Sequence, residues 1–116
     1  MQLATGPETI LASAKRNMGT GNSSTIQTTS ASLVRVYTNV VREQGVATLN
    51  MNLQTSVDKS NWITMASFTE ITATGDYYKD ATNPGLFFRV TWAIGGTGVP
   101  QFTFDLKVVR FEESTS

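Results

Sequence analysis

The sequence predicts an all-β fold, an antiparallel β-sandwich of jelly-roll type with an extended N-terminal arm. Two observations carry this. Apolar residues alternate with polar ones in several short runs, the period of a half-buried strand rather than a helix. The chain is also rich in Thr, Ser, Asn and Gly, and charged residues make up only 16%, fewer than long helices usually carry. At 116 residues it fits one domain with a core of its own.

Taken in order, residues 1–30 read as an arm and linker. Within them ETILASAKR, 8–16, reads as an N-terminal strand, with a short helix as the alternative, and NMGTGNSSTIQTTS, 17–30, as a polar loop. The sandwich spans 31–111. SLVRVYTNVV, 32–41, sets Val34, Val36 and Val40 on one face and Arg35, Tyr37 and Asn39 on the other. LNMNLQT, 49–55, sets Leu49, Met51 and Leu53 against Asn50, Asn52 and Gln54. Trp62 opens WITMASF, 62–68, which alternates less cleanly and reads as buried on both faces. Residues 86–94 place Leu86, Phe88, Val90, Trp92 and Ile94 together, and 102–108 do the same for Phe102, Phe104, Leu106 and Val108.

Breakers fall between these runs. Gly45, SVDKSN (56–61), ATGDYYKDATNPG (73–85) and GGTGVP (95–100) read as turns or connections, the third holding the strong turn signal Asn83-Pro84-Gly85. In SVDKSN, Asp58, Ser60 and Asn61 suit a hairpin whose side chains cap its own backbone, with Trp62 closing the end of the core behind it. The competing reading exposes Trp62 as a sugar- or base-stacking ring. Residues 112–116 form a polar tail.

Composition removes several chemistries. The chain has no Cys and no His, so disulfides, thiolate metal sites and the commonest general base are absent. Glu112 and Glu113 are adjacent and would diverge in an extended chain. Glu70, Asp76 and Asp80 surround one loop, but their spacing is not that of a calcium loop. The glycines at 19–21 and 95–98 lack the Lys and helix of a phosphate cradle. The expectation is a non-enzymatic protein with no cofactor and no metal.

Nine basic residues balance nine acidic ones. Arg35, Arg89, Lys107 and Arg110 lie on expected strands, near Tyr37 and Phe87, yet Glu43, Asp105, Glu112 and Glu113 cancel the basic footprint a nucleic-acid partner needs. No nucleic-acid partner is expected. No window has the length of a membrane span, and the N-terminus lacks the order of a secretory signal, so neither a membrane nor an export route is expected. The aromatic candidates for contact are Phe87 and Phe111, on nominally outer faces, with Tyr77 and Tyr78 in the 73–85 connection. These four are the candidate interface. Trp62, Tyr77 and Tyr78 are the candidate sugar-binding set of the alternative reading.

One resemblance adds to this. The phrases ATLNMNLQTSVDKSNWITMASFTEIT, then a Gly with the Tyr77–Tyr78 pair, then FFRVTWAIGGTGVPQFTFDLKVV occur in an order that resembles small structural proteins of tailed bacteriophages. The resemblance covers roughly 46–109, and its phrases describe hairpins more than a role. It implies a β-sandwich of the capsid-decorating or head-associated kind. Such a protein would be made in the host cytoplasm and built into the virion. It would be a homo-oligomer contacting the major capsid protein or other virion proteins. A tail or baseplate component, or a carbohydrate-binding module, is the alternative.

Overall fold

A computed structural model describes residues 2–29 and 31–113, and all of its regular structure is strand. The elements are β1 (Gln2–Asn17), β2 (Gly19–Asn22), β3 (Ile26–Gln27), β4 (Ala31–Ser56), β5 (Ile63–Ser67), β6 (Gly75–Thr82) and β7 (Phe87–Glu113). All pairings are antiparallel. The all-β sandwich expected from the alternation is the fold observed.

β4 and β7 form one long ribbon, pairing from Ala31↔Glu112 to Ser56↔Phe87. This ribbon bends in the middle. Val46 pairs with Thr97 and Gln44 with Gln101. One residue of β4, Gly45, therefore faces three of β7: Gly98, Val99 and Pro100. Extra residues on one strand curve a ladder away from that strand. Gly96 (φ 127°) and Gly98 (φ 80°) take the positive angles that the corner requires.

The bend is severe. Trp92 and Phe104 lie twelve residues apart on β7, about 40 Å in an extended strand. Their rings meet edge to face with centroids 5.6 Å apart. The ribbon thus folds back on itself and makes both layers of the sandwich. In the first layer β1 and β6 flank the ribbon, β1 on residues 101–113 of β7 and β6 on residues 33–40 of β4. In the second, β2 and β3 line β7, and β5 lines β4 at 52–55.

Between the layers lies one core. Val34, Val36 and Val40 of β4 and Phe102, Phe104, Leu106 and Val108 of β7 enter it from the first layer. Leu49, Met51 and Leu53 with Phe88, Val90 and Ile94 enter it from the second. All are within 3% of full burial, and all were placed on inward faces by the alternation. Burying each such side chain is worth about 1.5–3 kcal/mol. The buried hydroxyls are bonded: Thr38 Oγ1 donates to the Asp105 carbonyl (2.7 Å) and Thr28 Oγ1 to that of Gly85 (2.7 Å).

Several expectations are corrected. The strand expected over 8–16 lies within β1, but the described part of the expected arm and linker, residues 2–29, is not an arm: β1 pairs with β7 from Gln2↔Glu113 to Asn17↔Gln101, and β2 and β3 add to the second layer. The segment is part of the sandwich because β7 would otherwise present an unpaired edge. Gly45 and GGTGVP were read as breaks between strands; they are corners within β4 and β7. The connection 73–85 contains β6, hidden from sequence because only Ala81 in it is fully buried. Residues 62–68 were expected to be buried on both faces. β5 is instead an edge strand, and Ile63 is 69% exposed. Leu86 precedes β7 and is exposed rather than inward. Of the polar tail expected over 112–116, Glu112 and Glu113 instead belong to β7 and pair with β1, and the rest lies outside the described residues.

Near the β2 edge, Gly21 sits opposite Trp92, whose indole lies across it; a Cβ there would come within 2.3 Å of the ring. Arg16 closes the same gap. Its guanidinium donates to the carbonyls of Ala12 (2.8 Å) and Phe104 (2.8 Å) and lies 4.7 Å from the Phe104 centroid. Gly21→Ala is therefore expected to lower stability by about 1–3 kcal/mol in urea denaturation. Gly95→Ala, whose Cβ meets only Thr48 Oγ1 at 3.6 Å, should stay within about 0.5 kcal/mol of the parent. Equal stability of the two variants would contradict the placement of the indole. Removal of residues 2–17 should abolish cooperative unfolding, since it strips β7 of its first-layer neighbour; an intact transition would restore the arm reading.

Candidate functional site

The sandwich presents two outer faces, and their chemistry differs. On the first layer the outward residues of β4 are Leu33, Arg35, Tyr37 and Asn39. β7 and β6 supply their neighbours. Arg35 pairs in register with Val109 on one side and Asp80 on the other, and Tyr37 with Lys107 and Tyr78.

Arg35 organises this face. It donates twice to the Asp80 carboxylate, Nε to Oδ1 at 2.6 Å and Nη2 to Oδ2 at 3.0 Å. Tyr78 lies 5.0 Å and Phe111 5.6 Å from its guanidinium carbon. Tyr37 and Tyr78 meet at 6.1 Å. The hydrogen bond to Asp80, and after it that to Tyr37, holds the guanidinium pKa well above its ordinary value. A planar cation pinned in a fork keeps the rings around it in place. Tyr78 stays 61% exposed, so the cluster is an open surface.

The sequence candidates divide across the molecule. Phe111 and Tyr78 come together around Arg35. Tyr77, the residue before Tyr78, turns the other way, packs against the core and donates its hydroxyl to the Ala73 carbonyl (2.8 Å). A shallow cleft of about 260 Å³ beside it is lined by Phe68, Thr69, Glu70, Tyr77, Tyr78 and Lys79. That is below the usual size of a small-molecule pocket. Phe87 and Trp62 lie at the far end of the second layer, beside the β4–β5 loop. Arg35 and Tyr37 emerge as the centre of the first face. Their alternation placed them outward, but only the pairing of β4 with both β6 and β7 shows which aromatics surround them.

The β4–β5 loop is a hairpin turn that caps itself. Asp58 Oδ1 accepts from the backbone N–H groups of Ser60 (2.8 Å) and Asn61 (2.9 Å), and Oδ2 accepts from Asn61 Nδ2 (3.0 Å). Ser56 Oγ accepts from the N–H groups of Asp58 and Lys59. The Asn61 and Ser60 backbone donors, then the Asn61 and Ser56 side chains, hold the Asp58 carboxyl well below the usual carboxylate range. Lys59, at φ 65°, closes the turn and sets its ammonium 4.7 Å from the Phe87 ring.

Trp62 does not close the core, as the hairpin reading expected. It precedes β5, so its ring lies along the outer surface, half-buried. Its Nε1 donates to the Lys59 carbonyl (3.2 Å), and Arg89 lies 4.2 Å from the ring centroid. Trp92 fills the inward role, on Phe104.

The second layer's outer face is polar and almost uncharged. Asn50, Asn52 and Gln54 project from β4, with Arg89 and Thr91 beside them on β7. Each amide is tied sideways: Asn50 Nδ2 donates to Glu70 Oε2 (3.3 Å), Asn52 Oδ1 accepts from Ser67 Oγ (2.7 Å), and Gln54 Oε1 accepts from Arg89 Nε (2.9 Å). Among the described residues no cluster of three metal-ligating side chains occurs. Asp76 and Asp80 accept from Asn39 Nδ2 (2.6 Å) and Arg35.

No protein-family model matches the chain, and no curated protein matches it by sequence. Solved structures do share its fold. The PBSX exported protein XepA superimposes with a TM-score of 0.66 at 13% identity, over 98% of this chain and 39% of that one. A chain of infectious bursal disease virus, Gt strain, gives 0.62 at 8% identity, over 97% and 33%. The module TmCBM61, solved with β-1,4-galactotriose, gives 0.53 at 13% identity, over 94% and 88%. This chain thus spans well under half of the first two proteins and most of the third. At these identities the likeness is one of fold.

The Asp58 network sets a pH expectation. A carboxyl held low in the folded state adds stability above its unfolded pKa and loses it as pH falls through the lower folded value. Asp58→Ala should therefore lower Tm at neutral pH, and the gap to the parent should shrink only below about pH 4. Thermal melts at pH 7, 5 and 3 would test it; a gap that closes between pH 7 and 5 would mean another group is responsible.

Proposed function

We propose that this chain is a non-enzymatic structural protein of a bacteriophage particle. It decorates or stabilises the capsid through subunit contacts, as a homo-oligomer seated on the major capsid protein or another virion protein. The observation that carries this is the open cluster of Tyr37, Tyr78 and Phe111 held around the Arg35–Asp80 fork. Tyr, Phe and Arg are the residues enriched at the centres of protein interfaces. A cluster fixed before contact loses little side-chain freedom on docking. The order of phrases over 46–109 and the fold shared with a viral chain support the same reading. Phe111 and Tyr78 then remain interface residues. Tyr77 contributes packing rather than contact, and Phe87 belongs to the other face.

A second reading, a tail or baseplate component or a carbohydrate-binding module, draws on the fold shared with TmCBM61 and on the amide row of the second face. In that reading Tyr77, Tyr78 and Trp62 were the first candidates for sugar contact.

Copy number separates these readings. Quantitative mass spectrometry of purified source particles should find hundreds of copies per particle, in a simple ratio to the major shell protein. A few dozen or fewer would move the protein to the tail, and absence would overturn the virion reading. Replacing both Tyr78 and Phe111 with Ala should weaken particle docking by about 2 kcal/mol or more. Tm should be nearly unchanged, since both side chains are partly exposed. Undiminished docking would remove this face from the interface.

A further inference from the structure

We infer that the outer face of the second layer is a binding platform for a neutral oligosaccharide, with Asn50, Asn52 and Gln54 as its hydrogen-bonding row and Trp62 as its stacking ring. The inference rests on the second reading above but assigns the contact to a different place, away from Tyr77 and Tyr78.

Asn is disfavoured in strands, and β4 here is an interior strand, flanked by β5 and β7. Thr or Val would hold this stretch better. Two Asn and a Gln at alternate positions place three amides on one face, and strand geometry spaces the outer two about 14 Å apart. That is the length of a short oligosaccharide lying along the strand.

The amides are held from the side by Glu70, Ser67, Thr64 and Arg89 at 2.7–3.3 Å. An amide group can make four hydrogen bonds. Those bonds use one position on Asn50, one on Asn52 and two on Gln54. The rest combine donors and acceptors, which suits sugar hydroxyls, since each hydroxyl both donates and accepts. Fixed rotamers lower the cost of binding.

The Trp62 ring stands beside the row. Arg89 bridges the row to the ring: its Nε donates to Gln54 Oε1, and its guanidinium lies 4.2 Å from the Trp62 centroid. The ring is half-buried and stands at the Gln54 end of the row, held in orientation by Arg89 and the Lys59 carbonyl. A flat apolar ring beside polar groups is what a pyranose, with its C–H face and hydroxyl edge, requires. A protein partner would want more apolar area. A polyanion would want an excess of cations, whereas Arg89 at one end is offset by Glu70 at the other.

The test is titration calorimetry of the full chain with xylohexaose, cellohexaose and β-1,4-galactotriose, with a galacturonate hexamer as the charged control. At least one neutral sugar should bind. Changing Asn52 and Gln54 together to Ala should weaken it by about tenfold or more, and Trp62→Ala should do likewise. Tyr77→Ala with Tyr78→Ala should leave affinity within about twofold. If the amide variant does not fold, backbone and indole N–H shifts of the parent chain serve instead, and they should cluster at residues 50–54 and Trp62. No binding of any neutral sugar at about 10 mM overturns both the sugar reading and this platform. Binding that is lost with the tyrosines but kept with the amide variant leaves the sugar reading standing and overturns the platform. Tighter binding of galacturonate overturns the assignment of a neutral ligand.

Discussion

The fold depends on one corner. At Gly45 on β4 and Gly96–Pro100 on β7, the long ribbon turns back on itself, and both layers of the sandwich are made from the same two strands. Everything else is placed by that turn. It brings Phe104 onto Trp92, lets Arg16 reach across both rings, and encloses the core between the two halves. Glycine is required there for a plain reason: at Gly96 and Gly98 the backbone takes positive φ, where a side chain would clash. Pro100, which has no N–H to contribute to a ladder, sits where the ladder is already interrupted.

The corner also gives the molecule two outer faces of different chemistry. β4 runs through the middle of both layers, so each half contributes its own outward row: Arg35, Tyr37 and Asn39 before the bend, Asn50, Asn52 and Gln54 after it. The first row meets aromatics and a carboxylate and becomes an amphipathic cluster. The second meets hydroxyls and becomes a polar carpet. The polar residues do not compromise the core, because alternation sends them outward at no cost to the inward row.

Much of this was legible in the sequence, for a definite reason. Period-two alternation reports inward and outward faces directly, and the rows 34–40, 49–53, 88–94 and 102–108 hold most of the core, leaving out Ile10, Ala47, Phe68, Ile71 and Ala81. What alternation does not report is whether a glycine ends a strand or bends it. Gly45 and GGTGVP read as breaks because the local chemistry of a turn and of a corner is the same. The difference lies in the partner strand, which is distant in sequence. β6 escaped notice because it is an edge strand with one fully buried side chain, Ala81, among charged, tyrosine and small residues that show no clean alternation. The N-terminal segment read as an arm because its polarity suits an edge as well as a linker. Of the candidate residues, Tyr78 and Phe111 were found as exposed aromatics, while Trp62 was assigned inward because its position one residue before β5 could not be seen. The Arg35 cluster is a product of register across three strands.

The pairing of β1 with the last part of β7 has a consequence for how the chain comes to be folded. Gln2 and Glu113 are partners, and so are Asn17 and Gln101. On a ribosome, β1 and the first half of β4 emerge early, yet the strand that belongs between them is made last. The β1 side of the first layer therefore cannot assemble during synthesis of residues 2–100, although β4 and β6 can already pair. Contacts this distant in sequence slow folding and leave strand edges uncovered meanwhile. Until residues 101–113 follow, β1 is without the strand it pairs with, and β4 is covered on its β6 side alone. The polar, threonine-rich character of the early segment keeps those waiting edges in water rather than against each other.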